Sequence, residues 1–397
     1  AAFVSSEGID GDAHVFDIEF GQAPNVVGGE STPLAVVVDN FVDTQEVPIP
    51  TSIRSGQLDI ACYAAPVEDL HIARDGANLL LTWSHVGTTA SQYQVWRADL
   101  NAYFAFGDPG ATQLATVPAP TGGTVPSYTD QGAYDPATST YAGAWADDLN
   151  HYYMVRSMCT ATQGSLRSNR VGKFTRPVVP GMNLVSLPLL PYSNCIQDVI
   201  GMQLTGADSE LKADRIWEWD TARQDYNYAW LVADETSQND GKWWEGATWQ
   251  ESTMLLLPNA GYWVQSRHDI NQTIKVVGNV AEPNTQGLEI VEGMQLIGSA
   301  YPDPVTPSLD AATFIQDGAH GADSELHADR IWYWDESLQD YEYAWLRVVE
   351  VTPEYVVKWW EGTTWSESQI KPRPGVGYWY QRRGDLGFPW TNPGPVQ

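Results

Sequence analysis

The stretch "GADSELHADRIWYWD" (Gly321–Asp335) nearly repeats "GADSELKADRIWEWD" (Gly206–Asp220), differing only at Lys212/His327 and Glu218/Tyr333. Working outward, "QDYNYAWL" (224–231) answers "QDYEYAWL" (339–346). "KWWEGATW" (242–249) answers "KWWEGTTW" (358–365), and "AGYWVQSR" (260–267) answers "VGYWYQRR" (376–383). The offset grows from 115 to 116 residues, as one insertion explains. Upstream, "GMNLVSLPLLP" from Gly181 answers "GMQLIGSAYPDP" from Gly293. Two copies result, residues 178–288 and 289–397, each longer than a solenoid repeat and large enough for a core of its own.

The pattern inside a copy is β. In "RIWEWD" the indoles of Trp217 and Trp219 alternate with Ile216 and Glu218 and so share one strand face. "TARQ" reads as a turn into "DYNYAWL", where Tyr226, Tyr228 and Trp230 again share a face, giving an aromatic hairpin. With 18 Trp, 19 Tyr, 34 Gly and 25 Pro in 397 residues, the expected fold class is all-β, in tandem sandwich-like domains with an N-terminal strand region.

Charge narrows the partners. Fifty acidic residues against 21 basic leave a formal charge of −29, which opposes nucleic acid and anionic membranes, since each phosphate contact needs Lys or Arg. No run approaches the ~20 apolar residues of a membrane helix, so no membrane insertion is expected. The sequence opens at Ala1 with no leader, as a chain does after signal-peptide cleavage, which points to a secreted or cell-surface location. Of the three cysteines, Cys62 and Cys159 are the preferred disulfide pair, and three buried free thiols are the alternative.

Residues 65–177 read as a different β unit. Leu79, Leu81 and Trp83 alternate inward on one strand, Tyr93 and Val95 on the next, and "HYYMVRSMCT" and "SLRSNRVGKF" supply two more. With its buried Trp, its Y-x-V strand and a second Y-x-V strand before a Ser-rich hairpin, this segment resembles the fibronectin type III family. The segment Leu100–Ala146 is longer than that module needs. The resemblance implies extracellular architecture and no catalytic residues. The opening "GMNLVSLP" and closing "GYWV" of the copies more loosely resemble C-terminal β domains of bacterial surface and secreted proteins, which implies a prokaryotic cell-surface setting.

Residues 1–64 fit neither pattern. "PLAVVVDNFV" is a continuously apolar strand, and Leu34, Val36, Val37, Val38 and Phe41 make it a candidate donor for a sheet in this chain or in a neighbouring copy.

Chemistry is sparse. No nucleophile elbow, P-loop, dinucleotide-binding glycine motif or H-E-x-x-H is present, and the histidines are scattered. Asp208, Glu210 and Asp214, with Asp323, Glu325 and Asp329, are the acids able to ligate calcium. The competing reading of "D-S-E-L" is a capped helix start. Trp243, Trp244 and Trp249, with Trp359, Trp360 and Trp365, either offer flat platforms to sugar rings or fill β cores. "RGD" at Arg383–Asp385 reads as a turn. The expectation is a non-catalytic extracellular structural protein, with copies of itself as partner and no required cofactor. The alternative is an adhesin that binds surface glycans.

Overall fold

The computed structural model describes residues 31–34, 56–59 and 64–391, apart from 88–89, 122–123, 160–163, 247, 304–310, 352–353, 363, 369 and 371–372. The fold is all-β, as its composition indicates. Two short helices, Ile196–Val199 and Ala311–Asp317, interrupt the strands among the described residues.

Residues 65–177 form a fibronectin-like sandwich. One sheet orders His71–Asp75, Asn78–Thr82 and Ser127–Asp130. The other runs Ala111–Pro118, Gln92–Ala98, His151–Met158 and Val171–Val178. The inward alternation read from sequence holds: Leu79, Leu81, Trp83, Tyr93 and Val95 are buried, joined by Tyr153 and Val155. Period-2 alternation puts Tyr152 and Met154 on the opposite face of their strand, and these are buried too. Something therefore covers that second face.

The cover is the first copy, joined by a shared strand. Val171–Val178 pairs with His151–Met158 through residues 171–173 and, along all its length, with Gln272–Asn279 from the far end of the 178–288 copy. Tyr152, Met154, Phe174 and Val178 then pack in one core with Ile216, Leu231, Trp243, Ile274 and Val276. A strand with apolar residues on both faces suits such a double role.

Each copy carries a five-stranded sheet of the same order. In the first it is Gly181–Ser186, Gly261–Ser266, Arg215–Asp220, Asp225–Leu231 and Trp243–Glu245. In the second it is Gly293–Gly298, Gly377–Arg382, Arg330–Asp335, Asp340–Val351 and Glu354–Glu361. The aromatic hairpins form in the expected register, with Trp217 opposite Tyr228 and Trp332 opposite Tyr343. In the second copy a ribbon of Gly287–Ile290 and Phe388–Thr391 takes the place of the shared strand and its partner. Ile290, Phe388 and Trp390 close that core over Phe314, Ile331, Leu346 and Trp359.

The two sheets meet across a seam of Leu184, Trp263, Leu296, Trp334 and Trp379. Its contacts come in mirrored pairs. Trp219 Nε1 donates to Met294 O at 2.7 Å, and Trp334 Nε1 to Met182 O at 2.8 Å. The Trp219 and Trp379 rings meet edge-on at 4.9 Å, and Trp334 and Trp263 at 5.1 Å. Gln224 and Gln339 both adopt φ of 52°. The Gln224 amide bonds the backbone N and O of Met294, and the Gln339 amide those of Met182, as an extra strand does. These bonds offset the left-handed backbone, which ordinarily costs roughly 1–2 kcal/mol.

At the centre of the seam the two "GYW" glycines lie back to back. A β-carbon on Gly377 would stand 2.8 Å from Val185 O and 3.2 Å from Gly261 Cα. Gly377→Ala is therefore expected to part the seam, destabilising the chain by about 1–3 kcal/mol, the usual cost of overpacking. Thermal unfolding followed by Trp fluorescence checks this, and an unchanged melting temperature would show that the glycines are not in contact.

Candidate functional site

The acids singled out in the sequence do not converge. Asp208 is exposed and pairs with Lys212 at 3.0 Å. Glu210 accepts from Tyr228 OH at 3.0 Å and lies 3.7 Å from Arg215. Asp214 is fully buried, and its oxygens accept from the Thr205 amide, the Arg267 amide and Gln272 Nε2. In the second copy Asp323 has no bond of this kind among those described, while Glu325 faces Arg330 and Tyr343. Asp329, also fully buried, accepts from the His320 and Arg383 amides, Tyr380 OH and Arg382 Nη1, all within 2.8 Å.

Among the described residues no three His, Cys, Asp or Glu side chains gather as a metal set does. The oxygen cage the spacing allowed is absent because the third acid of each triplet turns inward and fastens the loop to the sheet. The capped helix start is also absent: "D-S-E-L" makes a single turn, in which the Lys212 and Ala213 amides both bond Ser209 O. The "RGD" arginine is half-buried and tethered to the surface, its Nε donating to Gln381 Oε1 and its Nη1 to Leu326 O.

Asp329→Ala leaves Arg382 and two backbone amides without their acceptor. It is expected to cost roughly 3–5 kcal/mol, as breaking a buried charge pair does. Asp208→Ala, which removes an exposed pair, is expected to cost under about 1 kcal/mol. Chemical denaturation of the two variants checks the contrast.

The tryptophan candidates divide by depth. Trp243 is buried, with Nε1 donating to Gly201 O at 2.9 Å, and Trp359 is buried edge-on against Phe314. Both are core residues, so the platform role considered for them is corrected. Trp244 is half-buried against Trp230 and Val232. Trp360 is half-buried, with the Arg347 guanidinium 4.2 Å from its ring centroid. Trp249 and Trp365 stand 62% and 65% exposed at the tips of equivalent hairpins.

A cluster that the scattered histidines concealed lies in the fibronectin-like unit. His151, nearly inaccessible, holds Asp99 Oδ1 at 2.8 Å through Nδ1 and Asp147 Oδ2 at 2.9 Å through Nε2. Carboxylates at both ring nitrogens require both to donate, so the ring is an imidazolium. Lys173 Nζ, also buried, donates to Asp147 Oδ1, Asp147 O and Ala144 O. Among the described residues no hydroxyl or thiol bonds His151, and the cluster is an ionic clasp between the loop before one strand and the shared strand. The spacing Asp147-x-x-x-His151 was its only sequence signal.

Burial opposes charge on His151, but its bonds to Asp147 and Asp99 outweigh that and raise its pKa above the ordinary 6.5. Burial likewise opposes charge on Asp147, yet the bonds from His151 and Lys173 bring it down to about 2. The raised histidine stabilises the fold fully below about pH 6.5, and this contribution is lost as pH rises through the folded value. The depressed carboxylate stabilises above about pH 4 and is lost as pH falls towards 2. The melting temperature is expected to peak between these limits, and His151→Gln to remove the alkaline decline; a profile unaltered by that substitution would exclude the clasp.

Cys159 is disulfide-bonded and Cys195 is free; Cys62 lies outside the described residues. Leu34 lies in the strand Ser31–Leu34, which pairs within the chain with Gly56–Asp59. Val36, Val37, Val38 and Phe41 lie outside the described residues. A small apolar cavity sits where the shared strand meets the first copy, between Phe174, Ile216, Tyr262 and Ile274. Its lining is aliphatic and aromatic apart from Arg176 and Ser186. No helix among the described residues is long and apolar enough to cross a membrane.

No protein-family model and no curated protein matches the chain. Among solved structures it is similar to a Fn3-like protein from Clostridium thermocellum, at 24% identity and a TM-score of 0.18, covering 26% of this chain and 84% of that one. It is similar to the pectate lyase PelI from Erwinia chrysanthemi in complex with tetragalacturonic acid, at 17% identity and a TM-score of 0.17, covering 26% of each chain. A third likeness is to the FN1–FN3 domains of chicken CNTN1, at 9% identity and a TM-score of 0.17, covering 84% of this chain and 96% of that one.

Proposed function

We propose that the chain is a non-catalytic structural subunit of an extracellular assembly, a filament or surface layer, built by strand addition from its N-terminal region. The observation that carries this reading is the way the units are fused, by one shared strand and one mirrored seam. Such a body resists bending between its units, which is what a load-bearing subunit needs and a catalytic site does not require.

Its sheet edges support a mode of assembly. Gly181–Ser186 and Gly293–Gly298 are occupied in the seam, through bridges of Val185 to Val376 and of Ile297 to Ala260. Glu354–Glu361 and His71–Asp75 carry charges, which discourage edge pairing. Ala111–Pro118, "ATQLATVP", is an eight-residue edge with no charge, and its outer side is unpaired among the described residues. It offers main-chain groups to an incoming strand. The apolar run "PLAVVVDNFV" has the composition of a donor.

Electron microscopy of the full chain, of a variant lacking residues 1–45 and of the Gln113→Lys/Thr116→Lys variant tests the reading. Ordered polymers are expected from the first alone. Polymers that persist without residues 1–45 would rule out strand donation, and a full chain that stays monomeric at high concentration would overturn the structural role.

A further inference from the structure

Of the 18 tryptophans, 16 are buried or half-buried and only Trp249 and Trp365 are exposed. Both occupy the same place in their copies, and both adopt a left-handed backbone, φ of 54° and 55°. Glycine or asparagine ordinarily fills such a position, and a bulky residue there costs roughly 1–2 kcal/mol. A second repeated left-handed pair of bulky residues, Gln224 and Gln339, recovers that cost in the seam. The tips have no such return, since their indoles project from the fold.

The hairpins are built to hold them there. The Trp249 amide donates to Glu245 O at 3.1 Å and the Trp365 amide to Glu361 O at 3.2 Å. Thr248 and Thr364 hydroxyls bond the Glu245 and Glu361 carboxylates at 2.9 and 2.6 Å. Behind each turn a tyrosine ring presses on a glycine, and a β-carbon on Gly246 or Gly362 would fall on the ring of Tyr228 or Tyr343. The same strained, exposed indole thus stands on the same rigid support in two copies that differ at neighbouring tip positions, Gln250 against Ser366.

We infer that Trp249 and Trp365 are paired stacking platforms for an uncharged polysaccharide, one on each copy. The C–H groups on a pyranose face carry partial positive charge and meet the negative face of an indole, while the sugar hydroxyls stay in water. Exposed ion pairs, Lys242–Glu251 at 2.8 Å and Lys358–Glu367 at 2.5 Å, lie at the hairpin bases as polar partners. A net charge of −29 repels acidic polysaccharides and anionic lipid surfaces, which leaves neutral glycans as the fitting class. With one platform on each copy, a polymer long enough to reach both is held more strongly than by either alone.

This inference does not depend on strand addition, and its test is made on unassembled protein. The full chain is passed over microcrystalline cellulose, over chitin beads and through gels containing xyloglucan, with polygalacturonate and hyaluronan as acidic controls. Retention by at least one neutral polymer is expected, lowered roughly tenfold or more in Trp249→Ala/Trp365→Ala and partly in each single variant, as loss of a bivalent contact requires. Trp249→Leu/Trp365→Leu is expected to fail equally, because an aliphatic residue keeps the apolar bulk but has no flat π face. If the leucine variant retains binding, the tips contact something by apolar burial and the platform is wrong. Trp249→Asn/Trp365→Asn relieves the backbone, so its melting temperature is expected to hold or rise while retention is lost, which separates binding from folding. No retention on any neutral polymer, or retention unchanged in the alanine variant, would overturn the inference.

Discussion

Everything in the C-terminal half hangs on the reciprocal hold between Trp219 and Met294 and between Trp334 and Met182. Each indole crosses to the other copy and spends its single donor on a backbone carbonyl there, so neither sheet has a complete outer face alone. The glutamine turns and the apposed glycines follow from that demand. Sheets must approach within backbone contact for the indoles to reach, and only residues without a β-carbon permit it at the centre.

The shared strand imposes a second constraint. Val171–Val178 cannot separate from the fibronectin-like sheet without stripping the first copy of one wall of its core, nor from the copy without exposing Tyr152 and Met154. Arg176, on the same strand, pairs with Glu336 of the second copy, so all three units meet near one segment. Units tied in this way are expected to lose their structure together, since the burial that one loses is the burial of its neighbour.

Much of this was legible in sequence where the signal is local. Alternation gave the fibronectin-like core residue by residue, through Leu79, Leu81, Trp83, Tyr93 and Val95, because period 2 decides the face directly. The hairpin of Trp217 and Tyr228 followed for the same reason. Depth was not legible: Trp243, Trp244 and Trp249 look alike in "KWWEGATW", and their burial depends on which side of the hairpin the second layer lies. Likewise Asp208 and Asp214 have similar surroundings in the chain, yet one is solvated and the other fastens a loop, because Thr205, Arg267 and Gln272 arrive from distant segments. The pairing of Val171–Val178 with Gln272–Asn279 spans some hundred residues, a separation across which alternation carries no information.

The mirrored seam also has the geometry of a subunit interface. Contacts in which residue i of one copy meets residue j of the other, and j meets i, are those of a two-fold homodimer. A tandem duplication of one gene segment whose product already dimerised leaves this geometry inside a single chain. In the homodimer a substitution strikes both halves at once and must be tolerated twice. Within one chain each half is free to differ, as Lys212 against His327 and Glu218 against Tyr333 already do.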